Sequence, residues 1–322
     1  MPLPDPSSLF DSARLSRARV EMPTDLGTEE LRQLGEDVLA RSVFTARGTN
    51  AVFVSKLKEV IDELANGTLS EGQARAALWE TLRALDYTPE GGFPGDLGEV
   101  PAAVQGTLQD LASFRRLDLI VSTQAQLMQG AGQQWRAMQP ESLRSYPAFE
   151  LVRVGPVRVA RDWPARWRIA GFPEVAAKYA GAYRVAGAKS GMIGLVGDPR
   201  WGELGSYGNF ADALGVDHAP FYFNSEMRWK LVPMARVLSE GITGPDGESP
   251  EEWITSGAVT LTGNLPKLPV PQISLKGVDP ALIEQFKRTT GAKPLQGRPE
   301  TLSFDVIMAR DIARRNTKGG RL

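Results

Sequence analysis

The sequence predicts a mixed α+β protein, predominantly helical, with a helical N-terminal region, a central core holding a small antiparallel sheet, and an extended C-terminal arm. Apolar residues recur at helical spacing, bounded by capping residues, between about 50 and 85. Short apolar runs flanked by Gly and Pro, at 149–154 and 192–196, read as strands. The stretch Leu265-Pro266-Lys267-Leu268-Pro269-Val270-Pro271 cannot build a core and reads as an arm.

Residues 1–27, rich in Pro, Ser and Arg, are expected to form an N-terminal arm with little core of its own. Residues 28–100 form a helical region. Thr28 reads as an N-cap with Glu29 and Glu30 in the first turn. Leu31, Leu34, Val38 and Leu39 make one stripe. Asn50 caps a stronger helix carrying Phe53, Leu57, Val60, Ile61 and Leu64, stopped by Asn66-Gly67. Ser70-Glu71-Gly72-Gln73 is a capping box opening the next helix, with Ala74, Ala77, Leu78, Leu82 and Leu85 inward. Two helices so joined make an αα-hairpin.

Residues 101–240 read as the central core. A long helix is expected from Val104 to Trp135, weakened near its end by Gly130 and Gly132. Strands follow at 149–154, 157–159 and 192–196. Asp162-Trp163-Pro164 opens a short helix, with Pro164 in its first turn. Five of the seven tryptophans, Trp135, Trp163, Trp167, Trp201 and Trp229, fall here, and their large apolar area argues that the compact core does too. Residues 241–322 complete the chain as a Pro-rich arm with short helices near 280–288 and 304–315 and a basic tail.

Composition narrows the function classes. The chain has 322 residues, a formal net charge of −1, no cysteine and one histidine. A neutral balance offers no general attraction to nucleic acid. Lack of cysteine removes disulfides, thiolate nucleophiles and Cys-rich zinc sites. The segment Met1-Pro2-Leu3-Pro4-Asp5-Pro6 is not expected to be a secretory signal, and no apolar run reaches the roughly eighteen residues of a membrane span, so a soluble chain is expected.

Each candidate for chemistry meets a simpler structural reading. His218 lacks the neighbours of a metal site or a hydrolytic triad and reads as a hydrogen-bonded loop histidine. Gly187-Ala188-Lys189-Ser190-Gly191 misses both the nucleophile elbow and the phosphate loop in its spacing. Leu119 to Gln126 is the one segment with an ADP-ribosyltransferase flavour: Ser122-Thr123 on a strand, with Arg115 or Arg116 upstream, would hold a nicotinamide dinucleotide. The spacing of Leu111, Phe114, Val121 and Met128 favours a helix instead. No catalytic residue, metal ligand or cofactor is assigned. In the triplet Phe221-Tyr222-Phe223, alternation buries both phenylalanines and leaves Tyr222 outward. Tyr222 and Trp229, with Leu265, Val270 and Ile273 of the arm, are the expected interface residues. Arg310, Arg314, Arg315 and Lys318 of the tail are either a solvated terminus or a contact to DNA, which would give the chain a second, nucleic-acid-contacting role.

Several blocks occur in an order that resembles one family. They are Phe44 to Asn50, Arg116 to Gln124 with Met128 to Gly132, Pro147 to Arg153, Arg161 to Trp167, Asp198 to Trp201, and the loop Asp217-His218-Ala219-Pro220-Phe221-Tyr222-Phe223-Asn224-Ser225 up to Met227. The set resembles phage head-morphogenesis proteins, the minor head proteins typified by protein F of phage Mu. The resemblance implies a virion protein assembled in the bacterial cytoplasm, in few copies near the portal vertex. Its partners would be the portal or the major capsid protein, its work capsid assembly or genome delivery, and it would not be an enzyme. Many members end this loop with a Cys-Arg-Cys-like motif associated with metal binding. Here Asn224-Ser225 stands in the neighbouring position and is expected to stiffen the loop by side-chain to backbone hydrogen bonds.

Overall fold

A computed structural model describes residues 16, 19–24, 26–33, 42–94, 102–155, 161–257, 259 and, further on, 272–274, 284, 293–295 and 298–303. The protein is α+β, with its helices outnumbering a small antiparallel central sheet. It divides into two compact units, one formed by 13–125 with 267–322 and the other by 1–12 with 126–266.

In the first of these, strand β1 (Val20–Glu21) pairs in parallel with β2 (Ser42–Val43), and helix α1 (Thr28–Gln33) lies between them in sequence. In its described part the expected N-terminal arm is corrected, since Met22 and Leu26 are fully buried and belong to the core, while residues 1–15 lie outside the described residues. Helices α2 (Ala51–Ala65) and α3 (Glu71–Ala84) form the expected hairpin. Asn50 accepts the Phe53 N–H at 3.1 Å, and Ser70 and Gln73 close a reciprocal capping box. Phe53, Leu57, Val60 and Ile61 of α2 and Ala74, Leu78 and Leu82 of α3 are buried, each large side chain contributing roughly 1.5–3 kcal/mol.

Helix α4 (Phe114–Ala137) starts ten residues later than the apolar spacing suggests. The segment before it is a run of turns: Asp110 accepts the Gly106 and Ala112 N–H groups, and Ser113 Oγ accepts the Arg116 N–H at 3.1 Å as an N-cap. Val104 and Leu108 consequently stand exposed.

The second unit takes in the remainder of α4, then α5 (Pro140–Ser145), β3 (Ala148–Arg153), α6 (Trp163–Ile169), β4 (Ile193–Leu195), α7 (Arg200–Gly205), β5 (Met227–Val232), α8 (Met234–Ser239) and α9 (Pro250–Thr255). The sheet order is β4-β3-β5, antiparallel throughout, with Phe149 opposite both Gly194 and Leu231. All six residues of the central strand β3 are buried, Glu150 and Arg153 included. The strand expected at 157–159 lies outside the described residues. Trp253 and Val259 join this core, which therefore continues past residue 240. In the first unit, β6 (Gln272–Ser274), β7 (Lys293–Leu295) and β8 (Arg298–Ser303) form a second antiparallel sheet, order β6-β8-β7, within the span expected as extended arm. The helices expected at 280–288 and 304–315 fall outside the described residues, save Glu284.

Aromatic rings fill the central core. Trp167 stacks on Phe172 at 3.7 Å, Phe149 stacks on Trp229 at 4.1 Å, and the Trp201 ring lies edge-on to Trp167 and Trp229. The indole N–H of Trp201 donates to the Leu195 carbonyl at 2.8 Å, whereas that of Trp229 is buried without a partner among the described residues. Trp201→Phe is thus expected to orphan a carbonyl as well as lose volume, and Trp229→Phe to remove an unpaired donor. Thermal denaturation should show Trp201→Phe costing at least about 1 kcal/mol more than Trp229→Phe. Equal losses would contradict this account of the two indoles.

Candidate functional site

The loop that carries the family resemblance is built between α4, α6 and α7. The C-terminal half of α4 runs beside it. Gly130 sits where the loop backbone crosses the helix, so close that a Cβ there would overlap the Ala219 carbonyl oxygen and come within 2.8 Å of His218 Nδ1. Gly130 does not end the helix, which continues to Ala137; it is the gap through which the loop packs. Gly205, the last residue of α7, plays the same part on the other side, where a Cβ would overlap the Val216 carbonyl oxygen. The backbone locks the arrangement, with the Gly215 N–H donating to the Gly205 carbonyl at 3.0 Å and the Leu214 N–H to that of Phe221 at 2.9 Å.

Within this frame the loop side chains have distinct tasks. Asp217 is exposed and accepts a hydrogen bond from the Gln134 amide at 2.9 Å. His218 is buried, its Nδ1 3.1 Å from the Ala219 carbonyl oxygen. The Ala219–Pro220 peptide is cis. Phe221 is fully buried and lies parallel to Trp201 at 5.8 Å. Asn224 takes a left-handed conformation at φ 51°, which Asn tolerates better than most residues. Ser225 Oγ accepts the Met227 N–H at 3.2 Å, the side-chain to backbone bond expected of this pair.

Tyr222 overturns the expectation of an outward ring. It is fully buried, and its hydroxyl donates to the Leu204 carbonyl at 2.6 Å. Phe223 is the half-buried member instead. Residues 221–224 form a bridge and a turn and not an extended strand, so alternation between two faces does not apply. The guanidinium groups of Arg166 and Arg161 lie over the Tyr222 ring at 4.3 and 5.4 Å. Both arginines also bind the Asp212 carboxylate, Arg166 in bidentate fashion, and Arg161 donates to the Phe223 carbonyl at 2.8 Å. Burial pushes the Tyr222 hydroxyl up to about 12, against the opposing pull of Arg166, so it remains a hydrogen-bond donor at neutral pH.

A second charged group flanks the sheet. Glu150 of β3 has a fully buried side chain, bound in bidentate fashion by Arg236 at 2.6 and 3.0 Å and by the Gly191 N–H at 3.0 Å. Arg236 also reaches the Tyr179 hydroxyl at 3.3 Å, and that hydroxyl donates to Glu240 at 2.6 Å. A cavity of about 340 Å³ opens beside this network, lined by Arg168, Glu174, Val175, Tyr179, Tyr183 and Met192 among others.

For Glu150 and Asp212, burial raises the carboxyl, but the arginine hydrogen bonds outweigh it and hold both below their ordinary values of 4.5 and 3.8. A depressed folded value adds stability above the unfolded value and loses it as pH falls through the folded one. Thermal midpoints should therefore stay level from about pH 7 to about pH 5 and fall as pH drops below about 4. A midpoint insensitive to acid would count against both clusters.

Other candidates settle as follows. Leu119 to Gln126 is helical and Ser122 Oγ donates to the Leu119 carbonyl, so the strand that a nicotinamide-dinucleotide site requires is absent there. Arg116 instead binds Thr45 Oγ1 and the Ala46 and Leu108 carbonyls. Trp229, expected at an interface, is buried like Tyr222, and neither offers docking surface. Ile273 lies in β6, while Leu265, Val270, Arg310, Arg314, Arg315 and Lys318 fall outside the described residues. Among the described residues no group of three or more His, Asp or Glu side chains is placed to hold a metal, and no helix is long and apolar enough to cross a membrane. Sequence reasoning missed Asp212 and strand β5. The second had a signal, the alternation of Met227, Arg228, Trp229 and Lys230 before Pro233; Asp212 had none, because its arginines lie 46 and 51 residues away.

No protein-family model, curated protein or solved structure matches the chain.

Proposed function

We propose that this chain is a structural protein of a phage or prophage head, a minor head protein that acts near the portal vertex in capsid assembly or genome delivery, by binding and not by catalysis. The observation that carries this reading is the convergence of blocks far apart in sequence. Pro147 to Arg153, Arg161 to Trp167, Asp198 to Trp201 and the His218 loop all resemble the minor head family, and their rings Phe149, Trp167, Trp201 and Phe221 meet in one core. Motifs that share one core are consistent with one domain, and the assignment of that domain rests on their resemblance. The loop's own side chains support the same reading: Phe221, Tyr222 and Ser225 are spent on packing and hydrogen bonds, as befits a module that holds a shape for partners.

Quantitative mass spectrometry of particles purified from the producing bacterium tests this directly. The chain should co-purify with portal-containing heads at few copies per particle, and deleting its gene should yield defective or empty heads. Normal, infectious particles from the deletion strain, free of the chain, would end the reading.

A further inference from the structure

The unit that contains the αα-hairpin has a cavity that its packing does not explain. It measures about 190 Å³ and is lined by Arg47, Arg116, Tyr87, Phe93, Leu108 and Leu111, together with Gly27, Ala46 and Gly92 among others. A cavity that small lies below the roughly 300–1,000 Å³ of cofactor and drug-sized sites, so it suits a single side chain better than a nucleotide.

Two arginines line it. Arg116 spends its two terminal nitrogens on neutral acceptors, the Thr45 hydroxyl at 2.9 Å and the Ala46 and Leu108 carbonyls at 3.1 and 3.2 Å. Its Nε–H is buried with no partner among the described residues. Burial lowers the Arg116 guanidinium, and the positive charge of Arg47 lowers it further. Arg47 is itself exposed and held in the left-handed region at φ 59°, its N–H bound to the Leu26 carbonyl at 2.9 Å. That places its guanidinium beside Gly27, about 4.0 Å from where a Cβ would stand. Of the carboxylates nearby, Glu30 accepts the Gly27 N–H and its Oε2 stands 3.3 Å from that same point, and Asp110 accepts the Gly106 and Ala112 N–H groups. Neither arginine makes an ion pair among the described residues. Two such cations lining one recess are complementary to a carboxylate.

The rim adds a second preference. Leu108 is 50 % exposed, because the chain before α4 is held in turns and does not tuck it inward. An apolar residue next to the carboxylate would cover Leu108. A bare phosphate or a DNA backbone has nothing to offer that surface.

We propose that this recess is a docking site for an acidic segment of a partner protein, in which an Asp or Glu carboxylate enters between Arg47 and Arg116 and a neighbouring aliphatic side chain packs on Leu108. The inference goes beyond the head-protein reading and does not rest on it, since it concerns what one recess binds and not where the chain works.

The test uses the full chain and two immobilised peptides, identical except that one has a central Leu-Glu-Leu and the other Leu-Gln-Leu. The Glu peptide should bind at least tenfold more tightly, with affinity falling as salt is added. Arg47→Gln, a change at an exposed side chain, should erase the difference. Because Arg116 ties three backbone segments together, Arg116→Lys is the second variant; it keeps the charge but loses the fork and should reduce the preference, with circular dichroism confirming an unchanged fold. The proposal is overturned by equal binding of the two peptides, by no binding of the Glu peptide at millimolar concentration, or by a preference that survives Arg47→Gln. Displacement of the Glu peptide by a short DNA duplex that is lost in Arg47→Gln would assign the recess to phosphate and overturn it equally.

Discussion

Gly130→Ala is expected to destabilise the central unit by roughly 3 kcal/mol, a fall on the order of 10 °C in Tm. Taken alone the exchange favours the helix, since alanine is better than glycine in a helix interior by about 1 kcal/mol. What reverses the sign is the neighbour: the added methyl would overlap a backbone carbonyl, that of Ala219, and not the movable end of a side chain. The loop is pinned behind by Phe221 on Trp201 and by Tyr222 on Leu204, so it has no easy direction of retreat. Gly72→Ala supplies the control. Gly72 is also helical, in the first turn of α3, but its Cβ would meet only the tip of Arg75 at 3.9 Å, so no loss and a gain of at most about 0.5 kcal/mol are expected. Calorimetry of both variants decides the matter; a Gly130→Ala protein as stable as its parent would show that the loop is not held against the helix.

The second large effect concerns the ion pair under the sheet. Glu150→Leu leaves the Arg236 guanidinium, whose side chain is 14 % exposed, without the carboxylate that occupies it, and also strips the Gly191 N–H of its acceptor. Removing one partner of a buried pair costs about 3–5 kcal/mol. The lower end applies here, because Arg236 keeps the Tyr179 hydroxyl and Glu240 nearby. The double variant Glu150→Leu with Arg236→Met removes the stranded charge and should recover at least half of the loss. Urea unfolding of the two single variants and the double gives the coupling; strictly additive losses would mean that the pair contributes nothing as a pair.

The helical hairpin was legible in the residues themselves. Asn50, Ser70 and Gln73 satisfy N–H groups three residues away, so the instruction and its partner lie in the same few residues. Asp162 and Pro164 opening α6 belong to the same class. The start of α4 differs for a related reason: the apolar spacing from Val104 onward favours a helix, while bonds of Asp110 and Ser113 to nearby backbone hold the chain in turns up to Ser113.

The candidate site was legible only as a set of residues and not as an arrangement. His218, Phe221 and Tyr222 mark the loop in the sequence, but nothing local says that Tyr222 turns inward toward Leu204, that Asp212 gathers Arg161 and Arg166, or that Gly130 opens a path for Ala219 some ninety residues later. Arg47 and Arg116, 69 positions apart, likewise share a recess only because the hairpin and the turn before α4 bring them to it. The sequence by itself determined where the capped helices α2, α3 and α6 begin, which residues are apolar and that thiol chemistry is excluded, since those follow from bonds within a turn or from composition. The tertiary structure alone decided which rings stack, which charges are buried and which cations are left without a carboxylate, because burial and charge pairing depend on neighbours that the linear order does not name.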